Sequence, residues 1–274
     1  MRVHVVGLAS TLDLAANRAA AVDAVLEAAD DGARLVVLPE YAASFDPRGL
    51  QVQAEPFDGP FVTGLATAAA QTGVVVVAGL VVPGAGAGGL PRNVAVAVGP
   101  RGLLGSYHKV HLYDAFGQHE SDRFAAGDPG SAPLVVDVDG LRVGVMTCYD
   151  LRFPESARRL VDAGATVVAV PAAWASGEGK VKHWRVLLRA RAIENTVYVL
   201  GAAMQGYGVS GAPMVIDPLG VVLADPGRDP GERSAAGGDG PQVAVADLEV
   251  AHVDAARERN PSLANRRYTV VPLA

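Results

Sequence analysis

Short runs dominated by aliphatic residues alternate along this chain with stretches of helical length, and that alternation limits the fold more than any other feature. Residues 3–8 (VHVVGL) form the first run and residues 34–38 (RLVVL) the second. Between them, residues 13–30 are alanine-rich, with Val22, Val25, Leu26 and Ala29 at helical spacing. Gly32 follows, where a left-handed residue costs little. The same order recurs as a helix at 61–72 with a strand at 74–80, and as strand 141–147, helix 154–163 and strand 166–170. A helix at 180–195 then leads to a strand at 197–203, and further strands are predicted at 93–98, 215–216 and 243–246. Strands apolar on both faces need cover on both faces, so the pattern predicts an α/β layered fold. Two strand-helix-strand units, one near Glu40 and one near Cys148, predict pseudo-symmetric halves.

No linker divides the 274 residues, so residues 1–274 are expected to form a single domain. Two Gly/Pro-rich stretches, residues 83–92 and 225–241, read as loops, the second as a mobile surface insertion. The net charge of -6 argues against nucleic acid or an anionic membrane as the main partner. No run of about eighteen apolar residues suggests a membrane span, and the start, MRVHVVGLAS, reads as a first strand and not as a signal peptide. A single cysteine cannot form an internal disulfide, which fits a reducing, cytoplasmic setting.

Three windows carry chemistry. Glu40 (VVLPEY) emerges at the carboxyl end of a buried strand, where an α/β sheet gathers its functional groups, and partial desolvation there suits a base. Lys109 (SYHKVHLYD) lies among aromatic and apolar neighbours, where an ammonium can stabilise an oxyanion and lower the pKa of a nearby thiol. Cys148 (GVMTCYDLRFPE) follows a strand and leads into a helix, a position at which a nucleophile is held on a sharp turn, with the Tyr149 N–H free to meet an oxyanion. Base, fixed cation and soft nucleophile together point to a thiol enzyme that cleaves an amide or a nitrile. A Cys–His pair is a second arrangement the residues allow. His108, His111 and His119–Glu120 do not match the common zinc spacings, and the scheme needs no metal or organic cofactor.

These windows resemble the nitrilase superfamily of carbon-nitrogen hydrolases. The resemblance runs nearly end to end: the early unit ending in LPE, HKVHLYD followed by Glu120, CYDLRFPE, residues 182–199, IDPLGVVLAD and PSLANRR. It implies a four-layer α-β-β-α sandwich that assembles as a homodimer or as dimers of dimers, with residues 154–163 and 182–191 facing the partner. It implies Glu40 as general base and acid, Lys109 as oxyanion stabiliser, Cys148 as nucleophile, and Glu120 as the glutamate that orients the lysine. HLYDAFGQHES is most similar to the amidase branch of omega-amidases and deaminated-glutathione amidases, so a small carboxamide is the expected substrate. Nitriles and N-carbamoyl amino acids are the alternatives, as is a catalytically idle binding module. The chain departs from the branch at Trp174, in the ASGEGKVKHW that follows, and at Pro213; these regions help to shape the substrate pocket in relatives.

Overall fold

The computed structural model describes residues 1–46, 51–86, 88–226 and 241–273. The chain opens with β1 (Arg2–Gly7), α1 (Leu14–Asp30), β2 (Leu35–Val37), α2 (Pro60–Thr72), β3 (Val75–Val82), β4 (Arg92–Gly99) and β5 (Gly102–His108). A second series follows: β6 (Val135–Val138), β7 (Leu141–Val145), α3 (Pro154–Asp162), β8 (Val167–Ala172), α4 (Lys180–Asn195), β9 (Tyr198–Ala203), β10 (Met214–Ile216) and β11 (Val222–Ala224). The chain ends with β12 (Gln242–Asp247) and α5 (Val250–Arg259).

Local chemistry sets the helix limits. Asp13 caps α1 by accepting from Ala15 N and Ala16 N at 3.0 Å. Pro60 opens α2, and Gly73 closes it at φ 77°.

The strands form two six-stranded sheets with the same layout: β12-β1-β2-β3-β4-β5 and β6-β7-β8-β9-β10-β11. In each, three strands run parallel, β1-β2-β3 in one and β7-β8-β9 in the other, with antiparallel strands outside them. Side chains alternate across each sheet. Val6, Val36, Leu38, Val76 and Val96 face α1 and α2, meeting Val25, Phe61 and Leu65. Val3, Val5, Leu35, Val37 and Val77 face the other sheet and pack on Val143, Val145, Val167, Ala169 and Leu200. Val168, Val170 and Val199 face Leu160, Trp184 and Leu188 of α3 and α4. The order of layers is therefore α-β-β-α, and each fully buried valine contributes about 1.5–3 kcal/mol.

Several sequence expectations need adjustment. The strand expected through Thr147 leaves the ladder after Val145, although Met146 N still donates to Ala169 O at 3.1 Å. Strands β5, β6 and β11 and helix α5 were not predicted. The expected insertion at 225–241 falls largely on residues 227–240, outside the described residues. No helix among the described residues is long and apolar enough to cross a membrane.

Candidate active site

Glu40 is delivered by the pairing of β2 with β3, which extends past both strands' ladder: Leu38 N donates to Val77 O at 2.8 Å and Gly79 N to Pro39 O at 3.0 Å. The chain then turns through Tyr41 at φ 56°. Gly79 lies so close that a Cβ there would stand 2.5 Å from Glu40 Cα. The Glu40 carboxylate, 1% exposed, accepts from Lys109 Nζ at 2.9 Å and Asn93 Nδ2 at 2.7 Å through Oε1. Its Oε2 accepts from the Ala173 N–H at 2.8 Å, just past β8 in the opposite sheet.

Lys109 follows the last residue of β5 and is buried. Its second partner is Glu120 Oε2, at 2.8 Å. Glu120 sits in a short 3-10 turn (Glu120–Asp122) and is held by three further contacts. Its Oε1 accepts from Tyr41 Oη at 2.8 Å and Asn93 Nδ2 at 3.0 Å, and its Oε2 accepts from Tyr113 N at 2.6 Å, besides Lys109. Burial works to raise the Glu120 pKa; Lys109, Asn93 and the Tyr113 N–H outweigh it and hold it at about 2. Burial likewise works against the Lys109 ammonium, and the Glu120 and Glu40 carboxylates outweigh it, so its pKa is raised well above the ordinary lysine range.

Cys148 begins a 3-10 turn (Cys148–Arg152) directly beyond the β7 exit, at φ 48°, a left-handed conformation that costs a non-glycine residue about 1–3 kcal/mol. Asp150 secures that turn. Fully buried, it accepts from Thr147 N at 2.9 Å, Tyr107 Oη at 2.8 Å and His111 N at 3.2 Å, and its Oδ1 is 2.7 Å from His111 Nδ1. It therefore ties the cysteine's turn to the segment that carries Lys109. The Glu40 carboxylate and the Lys109 ammonium both act on the Cys148 thiol. Burial pushes the thiol's pKa up, Glu40 adds to the rise, and Lys109 opposes both without prevailing. This corrects the expectation that the lysine yields a depressed thiol pKa: the resting sulfur is protonated. His111 is engaged by Asp150 and stacks on Phe153 at 3.7 Å, and the charged groups that act on the thiol are Glu40, Lys109 and Glu120.

The Tyr149 N–H meets no protein acceptor among the described residues, as the first N–H groups of a helical turn do. Trp174 is buried, and its Nε1 donates to Lys180 O at 2.8 Å, so that N–H is already engaged. Asn93 and Gly79 escaped the sequence reading. Asn93 carried a signal, an amide interrupting an otherwise apolar strand (RNVAVAV). A cavity of about 750 Å³ lies elsewhere, between β5, α3 and residues 269–273, and contains none of the three clustered groups. The site is identified by its hydrogen-bonded cluster and not by cavity size. Among the described residues no group of three or more His, Cys, Asp or Glu side chains is placed to hold a metal ion.

An α-β-β-α sandwich with a buried carboxylate, ammonium and thiol converging from both sheets defines an enzyme of the nitrilase type. The chain belongs to the carbon-nitrogen hydrolase family, whose model matches residues 2–258. It is 40% identical to a hydrolase of Mycobacterium tuberculosis, over 97% of this chain and 95% of that one. It is 35% identical to the deaminated glutathione amidase of Escherichia coli O157:H7, over 88% of each. Among solved structures, an amidase of Nesterenkonia sp. AN1 superposes with a TM-score of 0.74 at 28% identity, covering 97% of this chain and 98% of that one.

Proposed function

We propose that the chain hydrolyses a small carboxamide to ammonia and a carboxylic acid through a thioester on Cys148. Glu40 takes the thiol proton as sulfur attacks the amide carbon. Lys109 Nζ and the Tyr149 N–H hold the tetrahedral oxyanion, each donor contributing about 3 kcal/mol. Glu40 passes its proton to the departing nitrogen, the C–N bond breaks, and ammonia leaves the acyl group on sulfur. Glu40 then draws a proton from water, whose oxygen attacks the thioester. The acid departs and the proton returns to the thiol. Glu120 orients Lys109, and the Trp174 ring walls the substrate side. Covalent catalysis divides one difficult step into two easier ones.

The observation that carries this reading is a single buried carboxylate, that of Glu40, which accepts from Lys109 and acts electrostatically on the Cys148 thiol. The Nesterenkonia amidase supports it: a glutamate-to-glutamine variant of that protein bears acrylamide, by Michael addition, on its active-site cysteine. Ammonia release across primary amides, nitriles and N-carbamoyl amino acids, with mass spectrometry of the acylated protein, tests the proposal. Cys148→Ala is expected to abolish turnover and the adduct; full turnover by that variant would refute it.

Residues 1–274 act in this proposal as one domain, supported by the core that both sheets share. A second copy is proposed to cover the α3 face. Support comes from the 750 Å³ cavity there and from the exposed Tyr268, Val271 and Leu273 near it. A monomer by light scattering would refute the dimer. A free catalytic thiol also supports a cytoplasmic setting.

A further inference from the structure

The two buried glutamates of the cluster receive unequal sets of donors. Glu120 Oε1 accepts from Tyr41 Oη at 2.8 Å and Asn93 Nδ2 at 3.0 Å. Its Oε2 accepts from Tyr113 N at 2.6 Å and Lys109 Nζ at 2.8 Å. A carboxylate has about four lone-pair sites, so Glu120 is saturated. Glu40 Oε1 is filled in the same way, by Lys109 at 2.9 Å and Asn93 at 2.7 Å. Among the described residues, Glu40 Oε2 accepts one N–H, that of Ala173, at 2.8 Å. One lone-pair site on that oxygen is left for a further proton.

Tyr41 and Asn93 create this inequality, and each is held there at a local cost. Tyr41 stands at φ 56°, a left-handed conformation unfavourable for a residue with a Cβ. Its ring stacks on Phe45, with centres 5.0 Å apart and planes at 11°, which fixes the line along which the hydroxyl points. Burial, then Glu120 and Glu40, raise the Tyr41 pKa well above the ordinary tyrosine range, so the hydroxyl remains a donor. Asn93 is buried, and its Nδ2 has three acceptors within reach: Glu40 Oε1, Glu120 Oε1 and, at 2.9 Å, Tyr41 Oη. Its Oδ1 is buried and meets no partner among the described residues. An unpaired acceptor in the interior costs free energy, and the turned-over amide would set that oxygen against two carboxylates. Asn93 is therefore oriented for its donors at the expense of its acceptor.

We propose that Tyr41 and Asn93 are positioning residues that divide the labour between the two glutamates: they fill the acceptor sites of Glu120, so that it stays a fixed anion, and leave Glu40 Oε2 as the carboxylate oxygen open to the thiol proton. The proposal rests on the amidase reading above, since the proton concerned is the one Cys148 gives up on attack. Both side chains act through the glutamates. Burial works to raise the Glu120 pKa, and Asn93 joins Lys109 in lowering it. With a donor removed, a proton can settle on Glu120, where it is lost to the departing nitrogen and breaks the ion pair that orients Lys109.

Tyr41→Phe removes one oxygen and keeps the ring that stacks on Phe45. Tyr198→Phe is the matched control, because its hydroxyl bonds the Glu249 backbone and neither glutamate. The first readout needs no turnover: the carboxyl signal of Glu120 in protein labelled with 13C-glutamate, assigned by its loss in Glu120→Gln, followed from pH 6 to 3. It is expected to stay near its ionised position in the wild type and in Tyr198→Phe. In Tyr41→Phe it is expected to titrate about one pH unit higher, the worth of a hydrogen bond to a charged group. The second readout is ammonia release. In Tyr41→Phe kcat is expected to fall roughly tenfold with KM within about twofold of wild type, since the residue acts through Glu120, and Tyr198→Phe is expected to keep both. Should Tyr41→Phe fail to fold, Asn93→Leu decides by the same readouts. A Glu120 signal that titrates as in the wild type, or equal kcat in Tyr41→Phe and Tyr198→Phe, overturns the proposal. A Glu120 signal that moves, with no ammonia from any amide even in the wild type, upholds the saturation of Glu120 and overturns the amidase reading instead.

Discussion

Gly79→Ala isolates the placement of Glu40 from its chemistry. A Cβ built on Gly79 falls 2.5 Å from Glu40 Cα and 2.9 Å from both Pro39 O and Tyr41 N. All three are backbone atoms, so no side chain can swing away. Ordinary contact begins near 3.4 Å, so the Glu40 backbone has to retreat by about 0.9 Å. The carboxylate's bonds to Lys109 at 2.9 Å, Asn93 at 2.7 Å and Ala173 N at 2.8 Å cannot all survive such a shift. A displacement of about 1 Å at a reacting group costs roughly 100-fold in rate, and overpacking costs about 1–3 kcal/mol of stability. Gly79→Ala is therefore expected to fold, to melt several degrees lower, and to release ammonia about 100-fold more slowly. Gly130→Ala is the matched control, because the atoms nearest its Cβ belong to the mobile end of the Asp128 side chain, at 3.2 Å. Ammonia release and thermal melting followed by circular dichroism make the comparison. Wild-type kcat/KM and melting temperature in Gly79→Ala would refute the assignment of Glu40 as the positioned base.

Two pH effects follow from the cluster. Glu40 is the second cause, after burial, of the raised thiol pKa, and Lys109 acts against it; Glu40→Gln should therefore move the onset of Cys148 alkylation by iodoacetamide to lower pH while abolishing turnover, and an unmoved onset would contradict the electrostatics. Glu120 titrates at about 2 in the folded state against 4.5 ordinarily, so its contribution is complete above pH 4.5 and is lost as pH falls from there through 2. That contribution is at most about 3 kcal/mol. Urea unfolding between pH 6 and 3 should show wild type losing stability over the acid part of that range and Glu120→Gln losing less, and parallel curves would rule the effect out.

The sandwich was legible because its central strands are apolar on both faces and its main helices repeat at helical spacing, as in β2 and α1. Edge elements were not. Strand β5 (GLLGSYH) contains two glycines and turns Leu103 and Leu104 to the surface, so neither composition nor alternation marks it. Helix α5 buries only Val253 and Ala256, too narrow a stripe to stand out in VAHVDAARER. At the site, Glu40, Lys109 and Cys148 were legible from their windows. Asn93, Gly79 and the Ala173 N–H take their meaning from which strand lies alongside Glu40, which is tertiary information. The sign of the thiol's shift was hidden for the same reason: it depends on burial and on a carboxylate brought from far along the chain.

That protonated thiol also explains why the cluster holds two glutamates and one lysine. Glu40, Glu120 and Lys109 form a hydrogen-bonded set of two negative charges and one positive, all at least 95% buried. In the proposed reaction, moving a proton from sulfur to Glu40 turns a carboxylate and a thiol into a carboxylic acid and a thiolate. The net charge of the buried set does not change. No new charge has to be desolvated, and the negative charge passes from one group close to Lys109 to another. Attack on the amide carries the charge onward to oxygen, which in the proposed reaction meets Lys109 and the Tyr149 N–H. Glu120 keeps the lysine charged throughout, so that Glu40 can become neutral without releasing the ammonium's proton. A preformed thiolate beside Glu40 would instead add another anion to a nearly dry pocket, and burial and Glu40 accordingly push the Cys148 pKa up.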